Sequence, residues 1–152
     1  MNKSRHFIFT SILGPITAFG DILFWRLYNK DRSLLMPLSA DEFVSEWNHH
    51  SMHTVSLLFV LFELVSVPRK RPKDMRPGII TLMSFINVYS FVCIHSALNG
   101  EYVYPFLKML PTFKIMIGFL YFHITSLFYY TGQWVITDII WGPRDQKPIK
   151  AD

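Results

Sequence analysis

From Ile79 to Gly100 the chain runs 22 residues without an Asp, Glu, Lys or Arg, and from Ile115 to Thr137 it does so again for 23. About 20 consecutive, mostly apolar residues are enough for an α-helix to cross the hydrocarbon core of a bilayer. Two further windows come close. Trp47 to Phe62 is free of charge for 16 residues, with Glu63 interrupting before apolar residues resume to Val67, and Phe7 to Trp25 carries only Asp21. Four spans are therefore expected, at about 7–28, 47–67, 78–98 and 113–137. They are joined by a basic loop at 68–77 and followed by a tail at 142–152. The fold class this implies is all-α, a multi-pass transmembrane bundle of about four spans forming one membrane domain. The competing possibility is a soluble bundle, but soluble helices keep a polar face at a period near 3.6. The stretch Ile79 to Ile86 keeps none, since Thr81 and Ser84 are its only polar residues.

Composition agrees. The 152 residues are 51% hydrophobic and 17% charged, against about 25% charged in a typical soluble domain. That excludes intrinsic disorder, and a single cysteine, Cys93, excludes a disulfide framework. Lys3 and Arg5 ahead of Phe7 resemble the start of a signal peptide. The apolar run nevertheless continues past Gly14-Pro15 to Trp25 without a convincing cleavage site, so the segment reads as a retained span. Pro15 is expected to kink it, because proline lacks an amide hydrogen and clashes with the preceding turn.

Lys and Arg set the expected orientation. With four spans, the N-terminus (Lys3, Arg5), the 68–77 loop (Arg69, Lys70, Arg71, Lys73, Arg76) and the tail (Arg144, Lys147, Lys150) share one side and hold ten basic residues. The opposite side holds five: Arg26, Lys30, Arg32, Lys108 and Lys114. The excess places both termini in the cytosol. A nucleic-acid role for the basic loop is not expected between two spans; anionic lipid headgroups are its natural partner. Trp25, Trp47, Tyr102, Tyr104 and Trp141 fall near span ends, as an interfacial aromatic belt would.

Helix rise of about 1.5 Å per residue puts Asp21, His53 and His95, on three different spans, within the non-cytosolic half of the membrane. Ionisable groups at such depth generally face the bundle interior. Asn87 and His123 fall near the midplane, and Glu63 near the cytosolic end. The densest cluster is Trp47-Asn48-His49-His50-Ser51-Met52-His53-Thr54. Its histidine pairs, three and four apart, share helix faces. Three readings are open for it: metal ligation, acid–base chemistry by one histidine in a semi-dry pocket, or hydrogen-bonded span ends. Metal is disfavoured, because membrane di-iron enzymes carry repeated histidine boxes and this chain has six His in all. No metal or cofactor is therefore expected. Thr17 lies four residues before Asp21 on the same face, roughly 7 Å deeper than His53.

The same octapeptide resembles the tryptophan–X–asparagine–histidine–small–methionine–histidine–threonine stretch of the androgen-induced protein family, which takes in the androgen-dependent TFPI-regulating proteins. Phe24-Trp25, Tyr28-Asn29-Lys30-Asp31-Arg32 and Met36-Pro37 resemble the segment following the same span in that family. Gly100-Glu101-Tyr102-Val103-Tyr104-Pro105 resembles its glycine–X–tryptophan–valine–tyrosine–proline stretch, and Tyr129-Tyr130-Thr131-Gly132 its tyrosine–leucine–leucine–glycine. The resemblance implies a multi-pass membrane threonine hydrolase acting on fatty acid esters of hydroxy fatty acids, in the endoplasmic reticulum or plasma membrane. The base it implies is the second histidine of the motif, His53, paired with a threonine nucleophile in the family's first span. Membrane lipids and a lipid ester are the implied partners.

Family chains begin roughly two spans earlier than this one, and their threonine lies in that part. This polypeptide is accordingly expected to keep the base without its nucleophile and to be weak or inactive alone. The alternative is a non-catalytic binding or regulatory membrane protein of the same family. Secondary site candidates are Thr17 as a relocated nucleophile, His50 beside the base, and Asp21, where the family is apolar. Asp21 either orients His53 or forms a buried polar contact. His49 replaces an asparagine, Ser51 replaces a glycine or alanine, and His95 has no firm family counterpart.

Overall fold

The computed structural model describes residues 3–142. The tail cations Arg144, Lys147 and Lys150 lie outside the described residues. Among those described there are only helices and loops. The helix α1 covers Lys3–Tyr28, α2 covers residues 46–66, α3 Arg76–Leu98, α4 Pro105–Lys108 and α5 Thr112–Trp141.

Local sequence explains the boundaries. Asp74 Oδ1 accepts the Arg76 amide and Pro77 sits in the first turn, where its missing amide hydrogen leaves no vacancy, so α3 begins there. It ends at Asn99-Gly100, with Gly100 in the left-handed region at φ 80°. Pro111 precedes α5 and Gly142, at φ 76°, follows it. A π-helical segment covers Phe9–Leu13, just before Pro15, with the Gly14 amide donating to the Phe9 carbonyl. A second π segment, Ser51–Val55, lies inside α2 and holds His53. Single π turns inside α-helices are frequent at functional sites.

Three helices, α1, α3 and α5, are long and apolar enough to cross a membrane. The first turns of α2 carry Asn48, His49, His50 and His53, which makes it the most polar of the four rods. Its position is nevertheless that of a full-length partner of α1. Glu63 near its end meets Arg5 near the start of α1, while His49 near its beginning meets Phe24 and Tyr28 near the end of α1. The helix α5 also runs antiparallel to α1, with Phe122 stacked on Phe19 and Gln133 donating to the Thr10 carbonyl. The start of α3 meets the start of α1 and the later half of α5, where Gly78 faces Ser11 and Tyr130. The start of α1, the α2–α3 loop and the end of α5 therefore gather at one end, marked by Arg5–Glu63, Arg69–Glu63 and Arg71–Asp138.

The core is Phe19, Leu82, Ile86, Phe122, Tyr130 and Trp134. Small polar residues line the contacts around it: Ser11, Ser90, Ser126 and Thr137 are all buried. Such residues allow helix backbones to approach closely in a membrane. Gly78 is the tightest case, because a Cβ there would stand 2.2 Å from the Tyr130 hydroxyl. Outward, large side chains lie bare, with Val88 at 65%, Phe91 and Phe128 at 69% and Ile139 at 78% exposure. In water this surface would drive association; against lipid it is the required one. The molecule is a helical membrane protein.

Candidate functional site

Asp21 is buried on α1, one turn before Phe24. A carboxylate at that depth requires partners, and α2 supplies two. The His53 Nδ1–H donates to Asp21 Oδ1 at 2.9 Å, and the Ser56 hydroxyl donates to Oδ2 at 2.5 Å. The Ser56 proton is also within reach of the Met52 carbonyl one turn back, so one hydroxyl serves two acceptors. The imidazole of His53 is stacked on Phe24 with ring centroids 3.7 Å apart. Phe24 on one face and Asp21 at Nδ1 fix the ring's plane and tautomer, which leaves Nε2 as the nitrogen able to take a proton.

The other candidates are distributed as follows. His50 turns away from Asp21: its Nδ1 lies 3.1 Å from Thr54 Oγ1, and its ring packs on Trp25 at 4.7 Å. Thr17 stands in the wall of a neighbouring cleft, and among the described residues no hydrogen bond joins it to His53. His49 is fully buried between Phe24 and Tyr28, and neither ring nitrogen has a hydrogen-bond partner. His95 departs from the expectation of an inward-facing group. It is exposed, stacked on Phe91 and 3.3 Å from the Asn99 amide, because Leu82, Ile86, Ser90 and Cys93 form the buried stripe of α3 and His95 falls outside it. Asn87 and His123 do meet near mid-bundle, at 3.2 Å. Among the described residues no three His, Cys, Asp or Glu side chains converge to hold a metal.

A cleft of about 760 Å³ runs between α1 and α2. Its walls are Leu13 and Thr17 on one side and Ser56, Phe59 and Val60 on the other, and Arg5 and Glu63 close one end. Ser56 belongs both to this wall and to the Asp21 carboxylate, so the cleft ends one hydrogen bond from the His53–Asp21 pair. At the charged end two guanidiniums share one carboxylate: Arg5 lies 3.3 Å and Arg69 2.8 Å from Glu63 Oε1. Arg69 is buried over the Phe9 ring, and that burial pushes its pKa down against the pull of Glu63.

Three features of the site are not evident from the sequence. Ser56 lies three residues after His53, the spacing that shares a face, and that spacing is the signal that could have marked it. The π segment leaves no composition signal. Gln133, which ties α5 to the first π segment, sits in a window notable only for lacking charge.

Three apolar spanning helices and an outward face of bare large side chains define the class, a polytopic helical membrane protein, here with a hydrogen-bonded Asp21–His53 pair between α1 and α2 beside an apolar cleft. Residues 1–136 match the FAR-17a/AIG1-like protein family, and the chain belongs to it. It is 32% identical over 143 residues to the androgen-dependent TFPI-regulating protein of Mesocricetus auratus, covering 93% of this chain and 62% of the relative. The Mus musculus protein of that name is 34% identical over 116 residues, covering 76% and 50% respectively. The androgen-induced gene 1 protein of Homo sapiens is 28% identical over 141 residues, covering 92% and 59%. The chain thus spans between half and two thirds of the length of these relatives. No solved structure matches it.

Proposed function

We propose that the protein hydrolyses a fatty acid ester of a hydroxy fatty acid within the membrane, and that this chain supplies the acid–base half of the site. The observation carrying this reading is the His53–Asp21 hydrogen bond, made at Nδ1 in a buried setting at the end of an apolar cleft. A hydroxyl is a poor nucleophile until a base takes its proton. In this reading His53 Nε2 takes that proton as the oxygen attacks the ester carbonyl and returns it to the departing alkoxide, leaving an acyl-threonine; water, deprotonated by the same Nε2, then attacks that ester, releasing the free acid and returning the proton to the threonine oxygen. Asp21 holds the ring and stabilises the imidazolium that forms between the two steps. The nucleophile in this reading is the threonine that the family resemblance assigns to the relatives' first span, so turnover is expected where that segment and this chain are present together.

The same reading puts the Arg5–Arg69–Arg71 end in the cytosol, by the excess of Lys and Arg there, in the endoplasmic reticulum or plasma membrane. The test joins this chain, or its His53→Ala variant, behind the threonine-bearing first segment of a relative such as the Mesocricetus auratus protein, and measures hydrolysis of a branched fatty acid ester by membranes containing the product. A loss of about a hundredfold or more is expected, the usual contribution of a positioned base. Equal rates would remove His53 from catalysis.

A further inference from the structure

The cleft between α1 and α2 differs from the rest of the outer surface in shape and in charge. Its volume of about 760 Å³ falls in the range of small-molecule sites. Its middle is apolar, with Leu13, Phe59 and Val60 facing across it, and exposures of 51% for Leu13 and 67% for Phe59 show it open along its outer side. Such walls suit hydrocarbon rather than water. Its two ends are not apolar. One carries Arg5, where, among the described residues, two guanidiniums against a single carboxylate leave one positive charge in excess. The other carries Ser56, bonded to Asp21. From Glu63 back to Ser56 is seven residues of α2, roughly 10 Å of helix rise. An anionic head at one end, a stretch of methylenes between, and a reactive carbon at the other would match this pattern.

We propose that this cleft is the binding channel for one fatty acyl chain with an ionised carboxylate, the carboxylate on Arg5 and the chain running past Leu13, Phe59 and Val60 toward Ser56. The assignment deepens the hydrolase reading by giving the substrate's acid chain its subsite, and rests on that reading for the position of the ester. Binding, rather than turnover, decides it. An ordinary two-chain phospholipid is the competing occupant: it would place a second chain where α1 and α2 leave only one groove, and a zwitterionic head where the excess charge is positive.

The experiment uses the His53→Ala protein in phosphatidylcholine nanodiscs, labelled by an alkyne-tagged diazirine palmitate with the adducts mapped by mass spectrometry. Label is expected to concentrate on residues 8–17 and 56–63. Val60→Trp or Leu13→Trp, which fill the cleft, should each lower it about tenfold, the equivalent of about 1.4 kcal/mol. Phe91→Trp, on the bare face of α3, should leave it unchanged and serves as the folding reference by thermal unfolding. Arg5→Gln should lower labelling by the acid about threefold, the size expected for an interfacial ion pair, and leave labelling by its methyl ester unchanged; Arg5→Lys should restore it. Equal labelling of α3 and α5 would overturn the proposal, as would indifference to both tryptophans in well-folded protein, or equal labelling by a diazirine phosphatidylcholine. Each of those results leaves the His53→Ala hydrolysis test standing on its own.

Discussion

His53 and Asp21 are 32 positions apart in sequence, yet the imidazole Nδ1 stands 2.9 Å from the Asp21 carboxylate. Two antiparallel helices bring them to one depth, and the stacking of His53 on Phe24, the residue three after Asp21, fixes the ring in place. The pair satisfies a carboxylate that hydrocarbon would otherwise leave unsolvated, and in the proposed hydrolase reading it leaves the second ring nitrogen as the base. Structure and chemistry are served by the same bond, and substitutions can separate them.

Asp21→Asn keeps the shape of the side chain but presents an amide to Nδ1, disfavouring the tautomer with Nε2 unprotonated. Hydrolysis in membranes should fall at least about a hundredfold, with helix content by circular dichroism unchanged. Ser56→Ala removes only one of the carboxylate's two partners and should lower the rate by about tenfold or less. A Ser56→Ala loss as large as that of Asp21→Asn would make Ser56, rather than the pair, the centre of the site.

Gly78 marks the closest helix approach. Gly78→Ala would press a methyl group against the Tyr130 hydroxyl, and overpacking of this kind costs about 1–3 kcal/mol. A lower midpoint of thermal unfolding in detergent is the readout. Tyr130→Phe removes the hydroxyl and its bond to the Met75 carbonyl, at about 1 kcal/mol. The double variant should be more stable than the sum of the two predicts, because the clash and the lost bond share one oxygen. Strict additivity would mean that the helices separate there without difficulty.

His49 is buried with both ring nitrogens unpaired. A buried polar group without partners costs about 1–3 kcal/mol relative to an apolar group of similar size. His49→Leu is therefore expected to raise the unfolding midpoint and to leave hydrolysis within about twofold of the original. A marked fall in stability would show that the ring has a partner in the membrane, such as an ordered water or a lipid group.

Orientation is open to a direct measurement. N-glycosylation acceptors inserted next to Lys30 or Lys108 should be modified, whereas one next to Arg71 should not. Modification at Arg71 would invert the map, and modification at neither Lys30 nor Lys108 would reject it.

Charge and hydropathy, read from the sequence alone, settled the class. Stretches such as Ile79–Gly100 carry no charged residue on any face, and their large apolar side chains point outward as well as inward, so hydrocarbon is the solvent that suits their helices. The octapeptide around His53, together with Tyr28-Asn29-Lys30-Asp31-Arg32, was specific enough to indicate the family, because those residue types recur at fixed spacing without any hydrophobic reason to do so. Sequence could not settle which polar groups meet. Residue counts give Asp21, His53 and His95 similar expected depths, but such counts run along one helix, whereas meeting depends on the rotation of each helix about its axis. The rotation of α3 turns Leu82, Ile86, Ser90 and Cys93 inward and leaves His95 outside, while a π turn at Ser51–Val55 sets the face that His53 shares with Ser56. Those rotations are fixed by close packing, by Gly78 against Tyr130 and by Gln133 on the Thr10 carbonyl. These are long-range contacts that no local window of the chain encodes.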